Sequence, residues 1–327
     1  MKPRSIRSCD PSHKPAMRIL QTEHLAEIPA QWLAARHDLV RGPIDDPDIR
    51  TQLDAFDALV IRTYTTINDE LLDLCPQVKV VGRAGVGLDQ VDLEACRARG
   101  VRVVHTPEAN TQAVIEYVMT LTCDAMRPRS ALRTPLDTTQ WNALRAETIG
   151  IRQIADCTVG ILGLGRIGSR VARAFTALGA RVIYHDLKDI PESARHGATA
   201  VSHESLMRES DILTIHVDGR ADNHHLLDAT ALNLLKDDVI LLNTARGFVI
   251  DENALVACMK QRPAAQALLD VHEQEPIPAN APTWSCPNIH LFPHLAARTE
   301  QAMLNMSWVV RDVDAVLRGE EPQFAAC

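Results

Sequence analysis

Three short segments hold residues whose types fit one reaction. Arg246 stands in LLNTARGFVIDENAL, Glu275 in LLDVHEQEPIP and His294 in IHLFPHLAARTEQA. A guanidinium is a planar, permanently charged fork that can grip a carboxylate and polarise a neighbouring carbonyl. An imidazole exchanges a proton with a hydroxyl or carbonyl oxygen near neutral pH. A carboxylate paired with that imidazole orients it and holds its tautomer. Together these groups are the parts needed to interconvert a 2-hydroxy acid and a 2-keto acid, provided something accepts or donates a hydride. Each residue taken alone reads as an ordinary surface group; their joint order behind a dinucleotide fingerprint is what points to chemistry.

That fingerprint is VGILGLGRIGSRVARAFTALGARVIYHD, residues 159–186. Gly163, Gly165 and Gly168 form G-x-G-x-x-G directly after an apolar run, with Arg166 and Ile167 on the same turn. The first glycine permits the tight turn, the second admits a pyrophosphate against the backbone, and the third lets helix pack on strand. The following helix points its free N–H groups at the phosphates. Asp186 stands eighteen residues after Gly168, where a carboxylate binds the adenine ribose hydroxyls and repels a 2′-phosphate. The expected cofactor is NAD, with Lys188 close enough to leave some NADP use open.

Positioning these residues requires a parallel sheet. Short apolar runs recur at 17–20, 58–61, 78–83, 101–106, 158–165, 180–186, 211–217, 238–246, 266–271 and 289–292. They are apolar on both faces, as strands covered by helices on either side should be. Helical patterns alternate with them, as in 169–180, where Val171, Ala172, Phe175 and Leu178 fall at helical spacing. The alternation predicts an α/β doubly wound architecture. It falls into one block before about residue 107 and one after about 150, with a long helix expected from about Thr111. In such sheets ligands lie beyond the carboxyl ends of the strands, where Arg246, Asp270, Glu275 and His294 are all expected.

The 327 residues are 46% hydrophobic and 23% charged, with net charge −8, enough for about two domains. No block of like charge favours nucleic acid or an anionic membrane, and no apolar stretch reaches the ~18 residues of a membrane span. Residues 1–16 are polar and proline-broken, without the apolar segment of a secretory signal, and are expected to be a flexible extension. The eight cysteines are scattered with no C-x-x-C pair, which favours reduced thiols and a cytoplasmic location over a disulfide framework or zinc site. His224-His225 is an adjacent pair, but no third ligand is spaced near it, so a surface loop is expected and no metal.

The segments VVGRAGVGLDQVDLEACRARGVRVVHTPEAN, VGILGLGRIG, LLNTARGFVIDENAL, DVHEQEP and PHLAARTEQA clearly resemble the D-isomer-specific 2-hydroxyacid dehydrogenases. The matching segments lie between about residue 58 and residue 302. The resemblance implies that Arg246, Glu275 and His294 are the catalytic residues. It implies that Gly163, Gly165, Arg166, Ile167 and Gly168 bind the pyrophosphate and Asp186 the ribose. Val217, Thr244, Ala245 and Asp270 would lie along the nicotinamide half, Asp270 near its carboxamide. It further implies two doubly wound parallel-sheet domains with a cleft between them. A flavodoxin-like substrate domain would comprise 1–107 plus 297–327, and a Rossmann NAD domain 108–296. Hinges are expected near Pro107 and Ala297, and a homodimer through the NAD domain. The backbone of Ala84, Gly85, Val86 and Gly87 would hold the substrate carboxylate; glycine-rich turns can form such anion nests.

Within the family, VIRTYTTINDELL and the 82–87 loop look most like D-3-phosphoglycerate dehydrogenases, where Arg62 and Arg83 would meet a substrate phosphate. Relatives acting on glyoxylate or hydroxypyruvate share much of the pattern, and an NAD-sensing corepressor is the alternative without turnover. The chain departs from the family at His216-Val217-Asp218, where His-x-Pro is frequent. Phe292 precedes Pro-His in place of a smaller residue, and His272 replaces a frequent Phe. After the last helix no stretch remains for a regulatory domain, so serine feedback is not expected.

Overall fold

A computed structural model describes residues 16–127, 129, 131–150 and 152–327. The expected extension at 1–16, with His13 and Cys9, therefore lies outside the described residues except for Ala16. The chain divides into two compact units, one of residues 1–110 with 299–327 and the other of residues 111–298.

The first unit carries a five-stranded sheet in the order β2-β1-β3-β4-β5. Its strands are β1 (Arg18–Gln21), β2 (Asp38–Arg41), β3 (Ala58–Ile61), β4 (Val80–Arg83) and β5 (Arg102–His105), all parallel. Successive side chains serve opposite faces. On β3, Leu59 and Ile61 join one apolar cluster with Phe56, and Ala58 and Val60 join another with Leu33. The end of the chain returns to this second cluster through Val309, Val310, Val313 and Leu317. Gly82 is required there, because a Cβ on it would stand 2.4 Å from Val313 Cγ2.

The second unit carries a seven-stranded sheet in the order β12-β11-β10-β9-β6-β7-β8. Its strands are β6 (Thr158–Leu162), β7 (Arg181–His185), β8 (Thr199–Ala200), β9 (Ile212–Ile215), β10 (Ile240–Asn243), β11 (Gln266–Leu269) and β12 (Ile289–Leu291). All pairings are parallel, and both faces of the central strands are buried. On β10, Leu241 faces one cluster while Ile240 and Leu242 face the other. The strand order reverses at β6, the switch point at which ligands bind in doubly wound sheets.

The fold is the expected α/β one, with differences at the strand ends. Four strands of the second unit stop two or three residues sooner than the apolar runs do: β6 ends at Leu162, β9 at Ile215, β10 at Asn243 and β11 at Leu269. At those points the chain turns to present Gly163 and Arg246. Two strands were not anticipated, β2 and β8. β2 is only partly buried and both residues of β8 are exposed, so edge position leaves them without an apolar signature. The helix Thr111–Met126 begins where expected, and the helix after the glycine loop starts three residues earlier, at Arg166. The seven described cysteines are free thiols. No helix among the described residues is long and apolar enough to cross a membrane.

Candidate active site

Arg246 follows β10, Asp270 and Glu275 follow β11, and His294 follows β12. These strands are adjacent and parallel, so their carboxyl ends lie about 5 Å apart in succession. Neighbouring strands thus bring together segments that are far apart in sequence.

Each segment is folded locally by its own polar contacts. The Asn243 side chain closes the turn before Arg246: Ala245 N–H donates to its Oδ1 at 3.0 Å and its Nδ2 donates to Arg246 O at 2.9 Å. Arg246 Nη1 donates to Ala245 O at 2.7 Å, so the guanidinium folds over its own turn. Gly247 then passes close to the next loop; a Cβ there would stand 1.9 Å from His272 C. Only glycine lets the Arg246 turn lie against the loop that carries Glu275.

His294 Nδ1 and Glu275 Oε2 are 2.9 Å apart. The other carboxylate oxygen, Oε1, accepts from His272 N–H at 3.1 Å. Burial pushes the Glu275 carboxyl up, but the His294 imidazole and the His272 N–H outweigh it and hold it below its ordinary range. The His294 side chain is 46% exposed, so its ring is open to a ligand. Its backbone is left-handed, φ +54°, a conformation that costs a non-glycine residue about 1 kcal/mol or more and persists only where surroundings impose it.

What imposes it is Asp270. This residue is fully buried, and its two oxygens accept from Leu295 N–H and Ala296 N–H, each at 2.8 Å. The Tyr117 hydroxyl sits beside the carboxylate. Burial pushes the Asp270 carboxyl up, and the two amides, His294 and Tyr117 pull it back without cancelling the rise. Both oxygens accept amides of the chain, so Asp270 anchors the loop that presents His294. The His272 ring, with Nε2 2.8 Å from Phe292 O, ties the loop after β11 to the end of β12. Asn243, His272 and Tyr117 were not singled out for these roles; they adjoin the motif residues, but nothing in their type marks them as positioning groups.

The glycine loop lies at the switch point. Gly163 has φ +91°, and a Cβ on it would meet His216 C, His216 O and Val217 N at 2.9 Å. A Cβ on Gly168 would stand 2.1 Å from Gly163 O, whereas one on Gly165 would meet nothing within 4 Å. The loop is therefore tightly packed beneath and open above. No side chain caps the helix Arg166–Ala177, so its first N–H groups can receive an anion. Asp186 follows β7 and accepts from Leu164 N–H at 2.7 Å and Lys188 N–H at 2.8 Å, tying it to the loop. Thr244 Oγ1 is buried without a hydrogen-bond partner, a polar atom beside Arg246 that still lacks its match. An open glycine cradle, an uncapped helix start, a carboxylate at the next strand end and this hydroxyl fit a nicotinamide dinucleotide.

The remaining expected residues lie in the first unit. Arg62 follows β3 and Arg83 ends its neighbour β4. The Arg62 guanidinium contacts Met303 Sδ, and Gln90 Nε2 donates to Arg62 O at 2.7 Å. Arg83 folds back over Gly85, whose missing Cβ would overlap its guanidinium. In the 84–87 turn, Ala84 N–H donates to Ile61 O at 2.9 Å and Gly85 N–H to Arg83 O at 2.8 Å. Val86 and Gly87 N–H make no backbone hydrogen bond among the described residues. Glu23, which was not anticipated, accepts from the N–H groups of Arg62, Thr63, Tyr64 and Thr65 at 2.7–3.1 Å. Burial pushes its carboxyl up and these amides bring it below its ordinary value.

Residues 119–296 match the sequence pattern described as D-isomer specific 2-hydroxyacid dehydrogenase, NAD binding domain. The chain belongs to the D-isomer-specific 2-hydroxyacid dehydrogenase family. It is 33% identical over 296 residues to a glyoxylate reductase of Thermofilum pendens, covering 89% of this chain and 84% of that one. It is 30% identical over 300 residues to a D-3-phosphoglycerate dehydrogenase of Archaeoglobus fulgidus, covering 90% of this chain and 56% of the relative. This family member thus spans little more than half the length of that phosphoglycerate dehydrogenase. Among solved structures, a glyoxylate reductase from Paecilomyes thermophila superposes with a TM-score of 0.81 at 26% identity, covering 96% of this chain and 99% of that one.

Proposed function

We propose that this chain is an NAD-dependent oxidoreductase that interconverts a D-2-hydroxy acid and its 2-keto acid. The observation that carries the reading is the His294–Glu275 pair at 2.9 Å, presented on a loop anchored by Asp270, with Arg246 past the end of β10, the neighbour of the strand that leads to Glu275. Because Nδ1 faces Glu275, Nε2 is the atom left to exchange a proton with the substrate. In oxidation Nε2 takes the hydroxyl proton, and the ionised Glu275 stabilises the imidazolium that forms; in reduction the same proton returns to the carbonyl oxygen. Arg246 holds the substrate carboxylate, and in the first unit the glycine turn of Ala84, Gly85, Val86 and Gly87 is the proposed anion nest. When bound, the nicotinamide accepts or donates the hydride. The cradle of Gly163, Gly165, Arg166, Ile167 and Gly168 would hold its pyrophosphate and Asp186 its ribose, with Val217, Thr244, Ala245 and Asp270 along the nicotinamide half. Asp186 favours NAD over NADP.

For the substrate we take a phosphorylated acid of the 3-phosphoglycerate class, supported by Arg62 and Arg83 at adjacent strand ends and by the phosphoglycerate dehydrogenase relatives. The glyoxylate reductase relatives support glyoxylate or hydroxypyruvate. We place the protein in the cytoplasm as a homodimer built on the NAD domain. The helix Thr138–Glu147 supports the dimer. It has its own capping box yet buries none of its residues, while Leu132, Trp141 and Ile149 around it are 48%, 48% and 73% exposed. Apolar groups left uncovered together are the mark of an interface.

Turnover of phosphohydroxypyruvate, glyoxylate, hydroxypyruvate and branched 2-keto acids, with NADH and with NADPH, tests all of this at once. His294→Ala should lower kcat by about 10²-fold or more, the contribution of a general acid–base, and leave NADH binding intact. An active His294→Ala variant would refute the mechanism. Tight NADH binding with no turnover of any acid would instead indicate a cofactor-reading protein.

A further inference from the structure

Beyond the dehydrogenase site, the loop after β9 carries His224 and His225 side by side. The sequence offers this pair no third ligand because the ligand comes from a different strand. The loop after β11 brings Glu273 between them. His224 Nε2 lies 3.8 Å and His225 Nε2 3.6 Å from the same Glu273 Oε1, and the three ligand atoms lie within 4.8 Å of one another. Donors bound to a tetrahedral zinc ion stand about 3.3 Å apart, so two of the three edges are within about half an ångström of that spacing.

Three further observations point the same way. His225 Nε2 is buried and makes no hydrogen bond, a polar atom whose burial is costly unless something binds it. The loop is already built: Asn223 Nδ2 donates to Asp218 O and Oδ1, and His225 N–H donates to Phe248 O at 2.8 Å. Glu273 N–H donates to Glu252 Oε1 at 3.3 Å, which fixes the opposite side. Finally, His225 is held at φ +50°, a left-handed conformation that places its ring 3.9 Å from that of His224, with the Phe248 ring parallel to His224 at 6.2 Å.

We propose that His224, His225 and Glu273 bind one divalent metal ion of the zinc class. Two imidazoles and one carboxylate suit zinc, cobalt or nickel rather than magnesium or calcium, which prefer all-oxygen ligands. His224 is exposed, so water completes the coordination. The bound ion links the loop after β9 to the loop after β11, two residues before Glu275, and so restrains the segment carrying that carboxylate. The proposal is independent of which acid the protein acts on.

The test is calorimetric titration of the untagged full chain, stripped of metal by chelation, with Zn²⁺ and then Mg²⁺. One Zn²⁺ per chain is expected, with no Mg²⁺ response and a melting temperature that rises with zinc. His224→Asn and Glu273→Gln should each weaken zinc binding by about tenfold or more and keep the metal-free melting temperature of the parent. Cobalt(II) in place of zinc should show no thiolate charge-transfer band. Absence of zinc binding by the parent overturns the proposal, as does binding that persists in the double variant or a thiolate band with cobalt.

Discussion

Asp270 makes no contact with the proton it helps to move. Its fully buried carboxylate accepts two amides, and those amides belong to the residues immediately after His294. Charge-assisted hydrogen bonds of this kind contribute about 1.5–3 kcal/mol each. Asn in its place keeps one acceptor and turns an NH2 group toward an amide donor. Asp270→Asn should therefore destabilise the second unit by about 2–4 kcal/mol in urea unfolding and lower kcat more than it raises KM, because the His294 ring loses its fixed position. A variant with parental kcat would remove the anchoring role. At this scale Arg246, Glu275 and His294 could be picked out in the sequence because of their joint order behind the dinucleotide fingerprint, each alone reading as an ordinary surface group. Asp270 could be picked out too, but its two amide partners could not, since they come from the segment after another strand.

At the scale of elements, β9 delivers a residue that couples the sheet to pH. His216 follows it, with Nε2 2.9 Å from Thr214 Oγ1, and burial pushes its imidazole down to about 3. The unfolded chain binds that proton from about pH 6.5 downward, and the folded chain does not until near pH 3. Stability is thus complete above about pH 6.5 and falls with acidification at up to about 1.4 kcal/mol per pH unit. His203, also pushed down by burial, acts in the same sense. The carboxyl groups held low, Glu23, Asp211 and Glu275 among them, add their own loss below about pH 4.5. Urea unfolding between pH 6.5 and 5 should thus show a shallower decline for His216→Gln than for the parent; equal slopes would mean that His216 is not the cause. The central strands were legible because both their faces are apolar. The edge strands β2 and β8 were not, because solvent rather than core surrounds them, and the ends of β6, β9, β10 and β11 were overestimated because apolar residues continue into the turns that follow them.

At the scale of the whole molecule, the exposed apolar residues around the helix Thr138–Glu147 make a prediction about assembly. Light scattering should give a dimer for the parent, and Trp141→Glu should shift it toward monomer, since a buried unpaired charge costs several kcal/mol; an unchanged dimer would place the interface elsewhere. The sequence by itself determined the α/β class and the glycine cradle and singled out three candidate reactive side chains, because periodicity, glycine spacing and side-chain chemistry are local properties. Only the tertiary structure decided which groups meet. The parallel order β10-β11-β12 sets Arg246, Glu275 and His294 at neighbouring strand ends, turns Asp270 inward, and carries Glu273 to His224 and His225. Contacts between residues so far apart in the chain are fixed by strand order and loop closure, which no local pattern encodes.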